Sequence, residues 1–495
     1  MKRALVVWGA SSGAGKSLLA TALCRWAARQ GLDVAPFKAQ NMSNNARVVP
    51  VDAGDPESAL GEIGSAQYFQ ALAARVAPQV DHNPVLLKPE RDTHSQVVLC
   101  GQVDAALSRL PWRQRSTALA AAARAGFERL AARHEVLVIE GAGSPAEINL
   151  APQDYVNLGT ARWAAERGSL RALLVADVDR GGAFAHCYGT WALLPEDLRP
   201  ALAGFVLNKF RGDATLLAPG PAQLQAATGV PLLGVLPMQR DHGLPEEDGV
   251  YAAPAAGRSG VRIAVLAWPQ LSNLDEFAPL AAAAQLRFAR SAAELEGVDW
   301  IVLPGSKQVS GDLAWLREQG METALQAHVD RGGRVLGICG GLQMLGDWLD
   351  DPEGADGQAH GPQPGLGLLP LTTRYAAPKR LRAARVRLGA LQPPWQALSA
   401  LSCRAYEIRC GRTQACAEDA LPVLFDDAGQ AIGWQGRGAR AGVLGLATHG
   451  LFEDEALLHA LFGQRVRSLE QSLEGLADLV DHHLGAATLR ALFAC

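Results

Sequence analysis

Short apolar runs, each ending in a glycine turn or a group of polar residues, recur along this chain and predict a series of buried strands. Residues 4–8, 33–37, 136–139, 172–176 and 204–207 are such runs, and 231–237 closes the first series. They show little polar alternation, as expected of strands covered on both faces. Helical spacing fills the gaps, most clearly at 18–29, and strands that alternate with helices imply a parallel sheet. A second series starts at 261–267 and continues through 300–303 and 334–338, with a largely helical stretch at 313–331. Residues 404–408 and 441–448 are later strands, and the chain beyond Glu453 reads as helix. The expected fold is α/β, built from two doubly wound domains.

Residues 238–260 carry Pro245, Glu246, Glu247, Asp248, Gly249, Pro254 and Gly257 with neither helical nor strand period, which predicts a linker. The expected division is therefore 1–237, a linker over 238–260, 261–462, and a helical tail over 463–495. A length of 495 residues agrees with more than one core. A net charge of −4 gives no electrostatic reason to expect nucleic acid or a membrane surface as partner. The basic cluster at 379–387 partly alternates, as a solvated strand does. No apolar run is long enough to span a bilayer, and the apolar N-terminus leads into a glycine-rich loop instead of a cleavage site. Eight cysteines without a C-x-x-C pair indicate neither a disulfide framework nor a zinc ribbon, so a reducing cytoplasm is the expected compartment.

The polar groups at the strand ends carry the chemistry. Gly9-Ala-Ser-Ser-Gly13-Ala-Gly15-Lys16-Ser17 lies between a strand and a helix, the context of a phosphate-binding loop. Backbone N–H groups around Gly13 and Gly15 would wrap phosphates, Lys16 would neutralise the outer ones, and the Ser17 hydroxyl suits magnesium. The first glycine stands one place earlier than usual, with Ala10 in the common position, and this longer spacing resembles the loop of dethiobiotin synthetase and its relatives. Lys38 follows the second strand and is a candidate phosphate contact. Glu140 ends another strand and is the expected second metal ligand. Asp179 and Arg180 either face the transferring phosphate or pair with each other, and Asn208 ends a further strand as an expected ATP contact.

Gly332-Gly-Arg-Val-Leu-Gly-Ile-Cys339-Gly-Gly-Leu-Gln-Met-Leu-Gly346 reads as a strand, a sharp turn at the cysteine and a helix, which is a nucleophile elbow. A helix N-terminus favours the thiolate form of Cys339. Gly305 follows the strand 300–303 and, with Gly340, is a candidate oxyanion donor. His449 ends the strand 441–448 and is the candidate base.

Five stretches, taken together and in order, resemble the cobyric acid synthases of the cobalamin pathway. They are Pro36-Phe-Lys-Ala-Gln-Asn-Met42, Asn83-Pro-Val-Leu-Leu-Lys88, Glu140-Gly-Ala-Gly-Ser-Pro-Ala-Glu-Ile-Asn-Leu150, Asp177-Val-Asp-Arg-Gly-Gly182 and Gly337-Ile-Cys-Gly-Gly-Leu-Gln-Met-Leu345. The resemblance implies a dethiobiotin-synthetase-like ATP domain fused to a class I-type glutamine amidotransferase domain. It also implies ATP, magnesium and glutamine as requirements and a corrinoid substrate, adenosylcobyrinic acid a,c-diamide, amidated at its b, d, e and g carboxylates. Cys339 would be the glutaminase nucleophile and His449 its base. Two departures stand out. Class I enzymes commonly carry a glutamate two places after the histidine, where this chain has Leu451, a lack that cobyric acid synthases share. Family members often have histidine where Arg409 stands. Cobyrinic acid a,c-diamide synthase shares both domain types and is the nearest alternative; a nucleotide-dependent partitioning protein is the alternative from another class.

Overall fold

The computed structural model describes residues 1–494 apart from 56, 92, 240, 241, 245–258 and 358. Most of the stretch read as a linker, 238–260, lies outside the described residues. The chain forms two units: the first comprises Met1–His242 with the last helices of the chain, and the second is Gly243–Ser468.

The first unit is organised on a six-stranded sheet whose pairings are all parallel, in the order Leu232–Pro237, Leu202–Phe210, Ser169–Asp177, Arg3–Gly9, Val136–Glu140, Val34–Phe37. Arg3–Gly9 is buried along its whole length, which explains its nearly unbroken apolar run. The strand order reverses beside it, so its carboxyl end opens at a switch point where ligands bind in open α/β sheets. The phosphate loop leaves that end and leads into the helix Lys16–Arg29. Between Gln40 and Val103 the chain adds two small sheets that the apolar pattern does not announce.

That helix is braced by the end of the chain. On Leu469–Leu484, Leu473, Leu476, Ala477 and Val480 are buried at helical spacing, the stripe of a helix with one covered face. Trp26 Nε1 donates to Asp481 at 2.9 Å, the buried Arg25 pairs with Glu474 at 2.6 Å and with Glu470, and Trp26 stacks on Phe493 with ring centres 5.6 Å apart. The division drawn from sequence set 463–495 apart as a tail; in the structure its helices complete the first unit.

The second unit has a parallel core of five strands in the order Gln285–Ala289, Arg262–Leu266, Trp300–Leu303, Arg334–Ile338, Val443–Leu446. The sheet then continues in largely antiparallel fashion through Ala431–Gln435, Leu421–Phe425 and the long pair Leu371–Leu388 and Ser402–Ala415. This extension makes the second sheet mixed, a feature the strand–helix alternation did not reveal. The stretch 313–331 is two helices, Val309–Glu318 and Met321–Asp330, separated at Gly320, whose φ of +66° ends the first.

Leu473→Ala removes a fully packed side chain between the C-terminal helix and the rest of its unit. It is expected to destabilise the first unit by about 2–5 kcal/mol, seen in calorimetry as a lowered transition for that unit with glutamine hydrolysis retained.

Candidate active sites

In the second unit the chain turns at Cys339 with φ 51° and ψ −102°, a conformation strained for any residue with a side chain. The flanking glycines make the turn possible. A Cβ on Gly341 would lie 1.9 Å from the Leu303 carbonyl oxygen, one on Gly337 2.6 Å from Leu345, and one on Gly340 2.7 Å from the Ser306 nitrogen. The helix Gly340–Leu345 therefore packs directly onto the neighbouring strand. The Cys339 N–H donates to Leu446 at 2.8 Å, tying the turn to the last parallel strand, and its Sγ lies 3.7 Å from the Ile408 carbonyl.

His449 follows that same strand and pairs with Tyr406 through a bridge, on which the two rings stack with centres 5.4 Å apart. Its ring lies close enough to the Cys339 sulfur for the two to interact electrostatically. Its Nδ1 lies 2.9 Å from Glu276 Oε1, and Glu276 Oε2 accepts the Gly450 N–H at 3.2 Å. Burial opposes charge on the ring, but the Glu276 carboxylate and the Cys339 sulfur outweigh it and raise its pKa from 6.5 to about 10. The charged ring thus contributes stability that is fully present below pH 6.5 and is lost as pH rises through about 10.

Gly305 is where the sequence expects it, but its N–H faces the wrong way. The short strands Leu271–Ser272 and Gly305–Ser306 pair antiparallel, and Lys307 N donates to Gln270 O at 2.9 Å. Alternation along an antiparallel ladder then places Gly305 in a hydrogen-bonded pair with Ser272, while the Ser306 N–H points out of the ladder on the side of Gly340. Ser306 N–H is the better oxyanion candidate. Gly305 has a different use: a Cβ there would lie 2.8 Å from His449 Cε1. Arg409, at the place often held by histidine, is buried and donates to Glu407 at 2.6 Å and to the Gly411 carbonyl at 2.6 Å.

In the first unit the phosphate loop has the predicted form. Gly13 and Gly15 have φ of 67° and 95°, and Lys16 Nζ reaches the carbonyls of Ser11 at 3.0 Å and Gly143 at 3.1 Å. The early glycine now has a reason, since a Cβ on Gly9 would lie 2.8 Å from Lys16 Nζ. Asn208 Nδ2 donates to the Ala14 carbonyl at 2.9 Å and lies 2.0 Å from where a Cβ on Gly15 would be, so it buttresses the loop.

Glu140 is 1% exposed and receives hydrogen bonds from Ser17 Oγ at 2.7 Å, Lys38 Nζ at 2.9 Å, Gln70 Nε2 at 2.6 Å and Gln67 Nε2 at 3.3 Å. Burial disfavours its charge, yet Lys38 and these donors hold its pKa below the ordinary value. Lys38 is therefore engaged with the carboxylate. Asp179 and Arg180 do not pair with each other: Asp179 meets Arg211, while Arg180 lies 3.5 Å from the buried Asp177, which Lys209 also approaches at 3.3 Å.

Two family models match. The CobQ/CobB/MinD/ParA nucleotide binding domain covers residues 5–249, and the CobB/CobQ-like glutamine amidotransferase domain covers residues 262–457. Among curated relatives, a cobyric acid synthase of Leptothrix cholodnii is 56% identical over 99% of this chain and 97% of its own length. One from Paracidovorax citrulli is 57% identical over 97% of this chain and 96% of its own length. The chain belongs to the cobyric acid synthase family. It is an ATP-using ligase of the glutamine amidotransferase type. The partitioning-protein alternative shares only the nucleotide-binding domain with this family.

Glu276, Gln67, Gln70 and Ser306 stand beside the candidate catalytic and phosphate-loop residues, and sequence reading did not single them out. Gln67 and Gln70 lie one turn apart on the helix Ser65–Ala73, a spacing that could have flagged them. Glu276 carries no such mark, since Leu274–Phe277 reads as an ordinary acidic turn.

Gly305→Ala is expected to lower glutamine hydrolysis by displacing His449, on the order of 10²-fold for a small misplacement of a catalytic group. Amidation driven by added ammonium should persist in the same variant, and the two rates measured side by side check this.

Proposed function

We propose that this enzyme amidates the b, d, e and g carboxylates of adenosylcobyrinic acid a,c-diamide in the cytoplasm, using one ATP and one glutamine for each. The observation that carries this is the presence, in one chain, of a buried Cys339–His449 pair and of a phosphate loop whose Ser17 meets Glu140 at 2.7 Å. The free cysteines, seven among the described residues, suit a reducing compartment. No helix among the described residues is long and apolar enough to cross a membrane.

A carboxylate resists ammonia because its carbon has no leaving group. In the first unit the substrate carboxylate oxygen takes the γ-phosphoryl group of ATP, ADP leaves, and the acyl carbon becomes open to attack. Lys16, at the start of its helix, balances the charge on the outer phosphates, and Gly13 and Gly15 let backbone N–H groups approach them. Magnesium fits the donor set, because the Ser17 hydroxyl and the Glu140 carboxylate are adjacent hard oxygens. These two residues would hold it, and it would supply further neutralisation of phosphate charge. Lys38 is a second cation in the same cluster, with Gln67 and Gln70 fixing the carboxylate that anchors it.

In the second unit the Cys339 sulfur attacks the side-chain amide carbon of glutamine. The oxyanion that forms is met by the N–H groups of Gly340 and Ser306, and His449 gives its proton to the departing ammonia. Water, deprotonated by His449, then releases glutamate from the thioester. Ammonia attacks the acyl phosphate with its lone pair, a C–N bond forms, and phosphate leaves.

The test counts carboxylate-to-amide conversions by mass. Cys339→Ala is expected to give none with glutamine and all four with ammonium, whereas Lys16→Ala should slow amidation from either nitrogen source by on the order of 10²–10³-fold. A wild-type protein that accepts cobyrinic acid and stops at the diamide would move the assignment to the earlier synthase.

A further inference from the structure

We infer that Glu276 is the positioning residue of the glutaminase site, completing from a distant segment the arrangement that Cys339 and His449 begin. This rests on the glutaminase reading of those two residues. The pair needs a third group for a simple reason. An imidazole that exchanges protons with sulfur through one nitrogen must have the other fixed, or it rotates and changes tautomer. The position two after the histidine, which would supply that group in class I enzymes, is Leu451, buried in the apolar core.

Glu276 comes from 173 residues upstream and meets both requirements at once. One carboxylate oxygen holds His449 Nδ1 at 2.9 Å, and the other accepts the Gly450 N–H at 3.2 Å, so ring and backbone are gripped together. Glu276 and His449 are each 1% exposed, which protects the interaction from solvent competition. Apolar packing brings the carboxylate there: Phe277 lies against Phe452 with ring centres 6.2 Å apart, joining the turn Leu274–Phe277 to the turn that follows His449. The remaining faces of the ring are set by Tyr406 and by the bare Cα of Gly305.

The segment has a second duty. Leu271–Ser272, just before Glu276, forms the ladder partner of Gly305–Ser306. Oxyanion strand and histidine anchor therefore belong to one short piece of chain.

The test uses the full-length protein with Glu276→Gln and Glu276→Asp. The titratable groups facing His449 are Glu276, Cys339 and the Tyr406 phenol, so removing one carboxylate charge leaves only the sulfur to favour the charged ring. Glu276→Gln is expected to cut kcat for glutamine hydrolysis on the order of 10⁴-fold, as loss of an orienting carboxylate does in a hydrolytic triad. KM for glutamine should change little. The alkaline limb of the rate, near pH 10 in the wild type, should move downward. Alkylation of Cys339 by iodoacetamide at neutral pH should slow, because the imidazole beside the sulfur is no longer held in place. Glu276→Asp should recover at least tenfold of the lost rate, and ammonium-driven amidation should be unchanged in both variants. An unchanged kcat and alkaline limb in Glu276→Gln would overturn the inference, as would parallel loss of ammonium-driven amidation or an aspartate variant no better than the amide. Full glutamine hydrolysis by Cys339→Ala would instead remove the reading beneath it.

Discussion

The second unit depends on a strained cysteine. A φ of 51° at Cys339 is costly for an L-residue, on the order of 1–3 kcal/mol, and it persists because the surroundings leave no alternative. The strand Arg334–Ile338 is fixed between two parallel neighbours, the helix Gly340–Leu345 begins at once, and the Cys339 N–H is committed to Leu446. The glycines on either side are the condition for this closeness, since a single methyl at 341 would collide with a carbonyl oxygen at 1.9 Å. The strain has a chemical return. It turns the sulfur out of the sheet, toward the strand that carries Ile408 and toward His449.

The first unit solves a comparable problem with charge in place of strain. Glu140 ends a strand buried on both faces, where an unpaired carboxylate would not remain ionised. Three neutral donors, Ser17, Gln67 and Gln70, and the Lys38 ammonium keep it charged beside the phosphate loop. In both units the reactive groups emerge at the carboxyl ends of parallel strands, where the chain must turn and the backbone leaves room for a ligand.

What the sequence made legible follows from this. Cys339, His449, Lys16 and Glu140 each end or follow a buried strand, so apolar runs and glycine turns locate them. The strand-rich excursion between Gln40 and Val103 was not legible, because its strands are short and carry no period strong enough to stand out; 379–387 and 404–408 were read as strands, but their antiparallel pairing, which makes the second sheet mixed, was not. Sequence reading proposed Gly305 and not Ser306 as oxyanion donor because the ladder alternation that turns Gly305 inward depends on pairing with Leu271–Ser272, which is a tertiary fact. Glu276 was missed for the same reason. Its partner is 173 residues away, and only the packing of Phe277 on Phe452 brings them together.

These buried charges also explain why catalysis and stability are hard to separate here. Deleting one partner of a buried pair leaves the other charge unsatisfied, at about 3–5 kcal/mol. Replacing Lys38 by an apolar residue would strand Glu140, and replacing Glu276 would strand the charged His449, so a lost activity alone would not distinguish a missing catalyst from a weakened fold. The two cases differ in what else the carboxylate holds. Glu140 is tied to a strand, a helix and the phosphate loop, so its loss spreads through the unit. Glu276 is tied to one ring and the adjacent backbone N–H. A change of charge at 276 is therefore confined to the orientation and protonation of His449, and a substitution that keeps its shape isolates the electrostatic part of its role.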